Sequence, residues 1–179
     1  MDEVAAATLA HATARNRHSP FWVLIGLVAL PVLIADQVTK LYVSRHLDLF
    51  ESIPVITNWL DITYTRNSGA AFSMFAGLPG WFRGAFLATL SIAAIIVLIL
   101  LIARSDKINV ASFSFALILA GAAGNLIDRG LHGEVIDFIR VHYYDWNYPI
   151  FNVADSAITI GVMLLILSSF RSQKDSPEQ

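Results

Sequence analysis

Two stretches of this chain, Gly84–Ala103 and Ile108–Ile127, each run twenty residues without a charged side chain. About 20 consecutive apolar residues are what a helix needs to cross the hydrocarbon core of a bilayer. Backbone lying in lipid must satisfy its own hydrogen bonds, so such runs can only be helices. Two more segments qualify. Ile150–Phe170 is as long but carries Asp155, and Phe21–Val43 is apolar to Ala35 before turning into Asp36-Gln37-Val38-Thr39-Lys40-Leu41-Tyr42-Val43. With 56% hydrophobic and only 15% charged residues, the chain lies well outside the soluble average. The predicted fold class is a membrane all-α protein: one integral domain over residues 1–179, with spans at about 21–43, 84–103, 108–127 and 150–170.

The first span has a rival reading. Arg15 and Arg17 followed by an apolar run resemble a secretory signal peptide. No small-x-small cleavage signal closes the run, however, and the helical pattern continues to Tyr42. An uncleaved helix is therefore expected, kinked at Pro31. Four spans place both termini on one side, together with Arg104, Lys107, Arg171 and Lys174. Arg45, Arg66, Arg83, Arg129 and Arg140 fall on the other. The basic residues of the first set are denser, because the loop Ser105–Lys107 is tiny, so the positive-inside rule favours cytoplasmic termini.

The longer connections, 44–82 and 128–149, are then extracytoplasmic. Ile53–Thr57 and Trp59–Thr65 are rich in β-branched and aromatic residues, are interrupted by Asn58, and end at Asn67-Ser68-Gly69. That pattern predicts short strands and a turn, and so a small sheet lying on the membrane. Glu134–Tyr143 reads as a short strand or one to three helical turns. Tyr42, Trp59, Trp81, Tyr143, Tyr144, Trp146 and Tyr148 gather at the same boundary, where aromatic side chains anchor. Ser172–Gln179 is polar and expected to be disordered.

Composition also excludes classes of function. A net charge of -2 excludes a polybasic nucleic-acid binder. The absence of cysteine removes disulfides, thiolate metal sites and a cysteine nucleophile. All five histidines lie outside the long apolar runs, which argues against intramembrane haem. No metal or other cofactor is expected.

What remains is carboxylate chemistry at one membrane boundary. An acid within a span is costly and usually functional. Asp155 is such an acid, with Asn152 three residues earlier on the same helical face. Asp36 and Lys40, spaced i,i+4 with the acid first, can pair, and spacing alone favours a structural ion pair. Asn125 shares a face with Asp128 and Arg129, and Arg129 is the expected cation beside Asp128. Ala120 and Gly124, four apart, suit close helix packing that would bring the Asn125 end to a helix such as the one bearing Asp155. Asp137 in Val135-Ile136-Asp137-Phe138-Ile139 and Asp155 in Val153-Ala154-Asp155-Ser156-Ala157 both stand among apolar residues. Two such carboxyls held close cannot both ionise, so one can act as acid and the other as base on water. From these residues alone, a catalytic dyad and a proton- or cation-translocating pair are equally open.

Five blocks carry a resemblance. They are Asp36-Gln37-x-x-Lys40, Asn67-x-Gly69-Ala70-Ala71-Phe72-Ser73, Gly121-Ala122-Ala123-Gly124-Asn125-Leu126-Ile127-Asp128-Arg129, Val135-Ile136-Asp137-Phe138 and Phe151-Asn152-Val153-Ala154-Asp155-Ser156. In this order, over about residues 30–165, the chain resembles the bacterial lipoprotein signal peptidase (signal peptidase II) family of polytopic aspartyl endopeptidases. The resemblance implies cleavage of diacylglyceryl-modified prolipoproteins just before the lipid-modified cysteine, by Asp137 and Asp155. It implies that Asp36, Lys40, Asn67, Gly69, Gly121, Asn125, Asp128, Arg129, Asn152 and Ala154 support the site or bind substrate. It further implies a cradle-like sheet with a short extracytoplasmic helix, a site near the outer leaflet of the cytoplasmic (inner) membrane, and inhibition by globomycin-type compounds. A monomer is expected.

Rivals fare less well. A proton-coupled transporter would need acids along the membrane depth, whereas here they cluster at one end. The Gly-x-Gly-Asp motif of presenilin-type proteases and the His-Glu-x-x-His of zinc proteases are both absent.

Overall fold

The computed structural model describes residues 20–69 and 79–174, with side chains to Phe170. Arg15 and Arg17, the Ala70-Ala71-Phe72-Ser73 stretch and the tail beyond Lys174 lie outside the described residues. Four helices are long and apolar enough to cross a membrane: α1 (Pro20–His46), α2 (Gly80–Ala103), α3 (Val110–His132) and α4 (Val153–Lys174). A four-stranded antiparallel sheet joins them, β1 (Ser52–Ile56), β2 (Leu60–Asn67), β3 (Val135–Tyr143) and β4 (Trp146–Asn147), in spatial order β1-β2-β3-β4.

Helix ends outrun the apolar runs for local reasons. Around Pro31 the first helix relaxes into a π-turn over Ile25–Ala29. Proline has no N–H and its ring crowds the carbonyl four residues back, so a wider turn relieves the clash. At the far end of α3, Gly133 takes φ +74 and its N–H closes on the Arg129 carbonyl, a left-handed cap that suits glycine. The fourth helix begins at Val153 and not at Ile150, because Phe151 is still extended and bridges to Ile139. At its other end it reaches Lys174, three residues into a segment expected to be disordered, since no proline or glycine stops propagation there.

The sheet resolves what periodicity left open. Residues 135–143 form a strand, registered on β2 by pairs such as Thr65↔Asp137 and Asn67↔Val135. Among the described residues, no separate short helix lies outside the four spans. The β1–β2 hairpin turns at Asn58, in the left-handed region at φ +66. The boundary aromatics are exposed, as interfacial anchors should be, from Tyr42 and Trp81 to Trp146.

The third helix is the most enclosed and touches each of the others. One flank packs Ala116, Leu119 and Ala120 against Leu24, Ala29, Leu98 and Ile102. The neighbouring stripe carries Gly121 and Gly124. A Cβ on Gly121 would strike the Ala154 carbonyl, and one on Gly124 would strike the Asp36 carboxylate. The close approach to α4 therefore runs through Gly121, Gly124 meets Asp36 of α1 at the edge of that contact, and Ala120 packs in the apolar cluster with Leu24 and Ile102. This near contact brings α1, α3 and the start of α4 together at one end of the bundle, beneath the sheet.

Candidate active site

Lys40 is the electrostatic centre of that junction. It is 2% exposed, and its ammonium meets Asp36 Oδ2 and Asp128 Oδ2, both at 2.8 Å. Its third hydrogen bond goes to Asn125 Oδ1 at 3.1 Å, so all three of its donors are used. The i,i+4 pair of Asp36 and Lys40 is present as spacing predicted. The cation in direct contact with Asp128 is Lys40, however, and not Arg129. Adjacent helical residues point to different sides, so Asp128 faces α1 while Arg129 turns toward the cleft described below.

Both acids in this cluster do further work on neighbouring backbone. Asp36 Oδ1 accepts the Ala154 N–H at 2.8 Å, capping a donor in the first turn of α4. Asp128 Oδ2 accepts the Ile136 N–H at 3.1 Å and so ties β3 to α3. Gln37 joins them by donating to Asp36 Oδ2, the Gly124 carbonyl and Asp128 Oδ1 at 3.1–3.3 Å. Its part in the network was missed from sequence, although it sits inside the first matching block.

Above this ion cluster lie Asp137 and Asp155. Asn152 caps α4: its Oδ1 accepts the Asp155 N–H at 2.9 Å, while Asp155 Oδ2 accepts the Asn152 N–H at 3.2 Å, a reciprocal capping box. The Asn152 amide also donates to Asp137 Oδ1 at 2.7 Å, so one residue holds both carboxylates. Asp137 Oδ2 accepts from Asn67 Nδ2 at 3.0 Å. Asn67 is aimed in turn by the Gly69 N–H, which reaches its Oδ1 at 2.8 Å. Gly69 has φ +90, and a side chain there would collide with Leu87. Asp155 Oδ1 accepts from Asn125 Nδ2 at 2.8 Å, which links the upper acids to Lys40.

The two carboxylates differ in setting. Asp137 is 2% exposed, whereas Asp155 is half-buried. Burial pushes the Asp137 carboxyl up to about 7, and the nearby Asp155 charge adds to the rise, while the Asn67 and Asn152 hydrogen bonds oppose it. Both line a cleft of about 580 Å³ whose other walls include Thr65, Arg66, Asn67, Gly69, Leu87, Arg129, Tyr148 and Phe151. Tyr148, one of the boundary aromatics, is turned into cleft wall by the strand-to-helix connection. Among the described residues, no cluster of His, Cys, Asp or Glu suits a metal ion.

The chain is similar to known proteins over most of its length. A family model described as signal peptidase (SPase) II matches residues 28–171. The chain is 46% identical over 154 residues to the lipoprotein signal peptidase of Syntrophus aciditrophicus, covering 86% of this chain and 96% of that one. It is 46% identical over 142 residues to the lipoprotein signal peptidase of Photorhabdus laumondii, covering 79% and 84%. A bacterial membrane enzyme solved by the in meso method at 2.3 Å superposes with a TM-score of 0.75 at 37% identity, covering 86% of this chain and 91% of that one. A match over most of the chain, in sequence and in fold alike, makes this chain a member of the signal peptidase II family.

Proposed function

We propose that the chain is a membrane aspartyl endopeptidase that removes signal peptides from diacylglyceryl-modified prolipoproteins, cleaving before the lipid-modified cysteine. The observation that carries this reading is Asn152, which holds Asp137 and Asp155 together on the wall of one cleft. The acids sit at the sheet end of the spans, opposite the short loop bearing Arg104 and Lys107. With that loop and both termini in the cytoplasm, the cleft opens at the outer leaflet of the cytoplasmic membrane, where lipidated substrates are anchored.

Asp137, the deeper acid with the raised pKa, keeps its proton. Asp155, open to the cleft, is the base. Asp155 takes a proton from water as the hydroxyl oxygen attacks the scissile carbonyl carbon, and Asp137 gives its proton to the carbonyl oxygen. The tetrahedral diol collapses when Asp155 passes its proton to the leaving nitrogen and the C–N bond breaks. A diol proton returns to Asp137. The products are a signal peptide with a new carboxyl terminus and a lipoprotein with a free amine on its lipidated cysteine. Asn67, Asn125 and Asn152 fix both carboxyls so that little reorganisation accompanies the proton transfers. The Arg129 guanidinium lines the cleft, where it favours the charge developing on substrate. Globomycin-type inhibitors would occupy the same cleft.

Purified wild type and the Asp137→Asn and Asp155→Asn variants, given a diacylglyceryl-modified prolipoprotein, test the reading by mass spectrometry of the products. Each variant should lose at least about a thousandfold in rate while still unfolding cooperatively. Normal cleavage by both variants would sink the dyad, and Asp128 would be tested next.

A further inference from the structure

A second concavity lies away from the candidate active site. It is a groove of about 500 Å³ between the outer face of α1 and the back of the sheet, walled by Val38, Tyr42 and His46 on one side and Ile53, Ile62 and Phe138 on the other. We propose that this groove seats one acyl chain of a bilayer phospholipid, which forms part of the support behind β3.

Three observations select that occupant. First, the groove is continuous with surface that lipid already covers. Val38 and Tyr42 are 57% and 62% exposed on a helix long and apolar enough to span the membrane, so the groove opens directly onto acyl chains. A peptide or a second copy of the chain would have to displace those chains first. Second, the size fits. At about 500 Å³ the groove has room for a run of methylene groups, each close to a water's share of liquid volume, about 30 Å³. Third, one end of the groove is marked as interface. The Tyr42 ring stacks on His46 with centroids 4.2 Å apart, and His46 Nδ1 meets the Tyr42 carbonyl at 2.8 Å. An amphipathic pair of that kind sits where hydrocarbon gives way to headgroups.

The consequence reaches the site, because Phe138 directly follows Asp137 in β3. Phe138 is 5% exposed and packed among Val43, Leu47, Tyr64 and Ile136, so a chain in the groove backs the outer side of the cluster that holds the ring. The lipid is then part of what holds the Asp137 segment in place, whatever reaction that acid performs.

Photoactivatable phosphatidylglycerol, with its reactive group near the chain end, tests this on wild-type protein in vesicles. Adducts should be several-fold denser on the peptides carrying Tyr42, Ile53 and Phe138 than on the α2 face around Ile96, which is simply lipid-exposed. Native mass spectrometry of protein reconstituted with palmitoyl-oleoyl-phosphatidylglycerol and extracted into mild detergent gives a second readout. Wild type and Ile96→Trp should each retain one phospholipid, and Ile53→Trp, which fills the groove, should lose it at least fivefold. Uniform labelling along the lipid-exposed surface would overturn the proposal. So would retention unchanged by Ile53→Trp, or release of the bound lipid by a diacylglyceryl-modified peptide, which would assign the groove to substrate. Inactivity of the Asp137 and Asp155 variants has no bearing on either readout.

Discussion

Two pairs of acids lie side by side in this protein and are treated differently. Asp36 and Asp128 share Lys40 at 2.8 Å each. Asp137 and Asp155 share Asn152, and among the described residues neither has a basic group within ion-pair distance. Burial of a carboxylate must be compensated in both cases. In the lower pair a cation does it, and the two acids are then spent on holding backbone, the Ala154 N–H by Asp36 and the Ile136 N–H by Asp128. In the upper pair neutral amides make the direct contacts, with the Arg129 charge nearby but not paired, which leaves room for a carboxyl to hold or release a proton. The comparison teaches that the partner of an acid, more than its burial, separates scaffold from chemistry. It also shows how one supports the other, since Asn125 bonds Lys40 through its oxygen and Asp155 through its nitrogen.

The comparison can be broken first at Lys40. Its removal as Lys40→Met leaves two buried carboxylates without a cation, a change that typically costs about 3–5 kcal/mol. A large fall in Tm, with activity lost because the fold is lost, is the expected result. The dyad variants should behave in the opposite way, with activity lost and Tm nearly kept. If Lys40→Met unfolds near the wild-type temperature, the lower pair is not the scaffold it looks like.

Titration sharpens the contrast. Below about pH 4 both folded and unfolded chains hold the Asp137 proton. Between about pH 4 and pH 7 the unfolded chain has released it while the folded chain keeps it, so rising pH removes stability. Above about pH 7 both forms are ionised and the loss is complete. A shift from 3.8 to about 7 corresponds to an upper limit of about 4 kcal/mol. Melting temperature should therefore fall across this window in wild type and fall less in Asp137→Asn. Cleavage should decline above about pH 7 as Asp137 gives up its proton, and a rate still rising there would assign the acid role elsewhere.

How much of this was legible in advance depends on the range of each contact. The Asp36–Lys40 pair could be read because helical periodicity fixes i,i+4 neighbours. Lys40 on Asp128 could not, since it joins two helices 88 residues apart and no local rule sets which faces meet. Arg129 shows the same limit: its charge does act on Asp128, but the direct ion pair goes to Lys40, because helical geometry turns Arg129 toward the cleft. Strands β1 and β2 were visible in their β-branched and aromatic runs, whereas residues 134–143 were ambiguous because a short apolar run fits either element. Asp137 and Asp155 were chosen from their apolar surroundings, and the family resemblance favoured pairing them. Asn152 is what joins them in the structure. Its neighbour relation to Asp155 was visible in the spacing. Its bond to Asp137 depends on how the sheet docks on the bundle.

Close packing beneath the site offers a smaller test. Gly124→Ala places a methyl group against the Asp36 carboxylate and Ala154. Overpacking of this kind costs about 1–3 kcal/mol. Because the methyl would displace Asp36 from the Ala154 N–H, the start of α4 should loosen, and cleavage should fall more than Tm does. An unchanged rate would mean that the helices can part there without disturbing Asp155.

The smallest effect is expected at a third polar cluster, on the sheet. Asp61 Oδ2 lies 3.4 Å from Arg140 and 3.2 Å from His142, with Ser52 also at 3.4 Å. By count of partners it rivals the Lys40 cluster, yet Arg140 and Ser52 have other partners, and only the buried His142 Nε2 has none besides Asp61. Arg140 is held independently by Asn147 Oδ1 at 2.7 and 3.1 Å, and Ser52 and Thr63 hold each other at 2.7 Å. The Arg140 side chain is one-third exposed, so water screens the pair and can replace the carboxylate. Asp61→Asn keeps an acceptor oxygen in place and should cost no more than about 1 kcal/mol, with cleavage unchanged. A loss as large as that of Lys40→Met would show that the sheet, and not the helix junction, is what holds Asp137 in position.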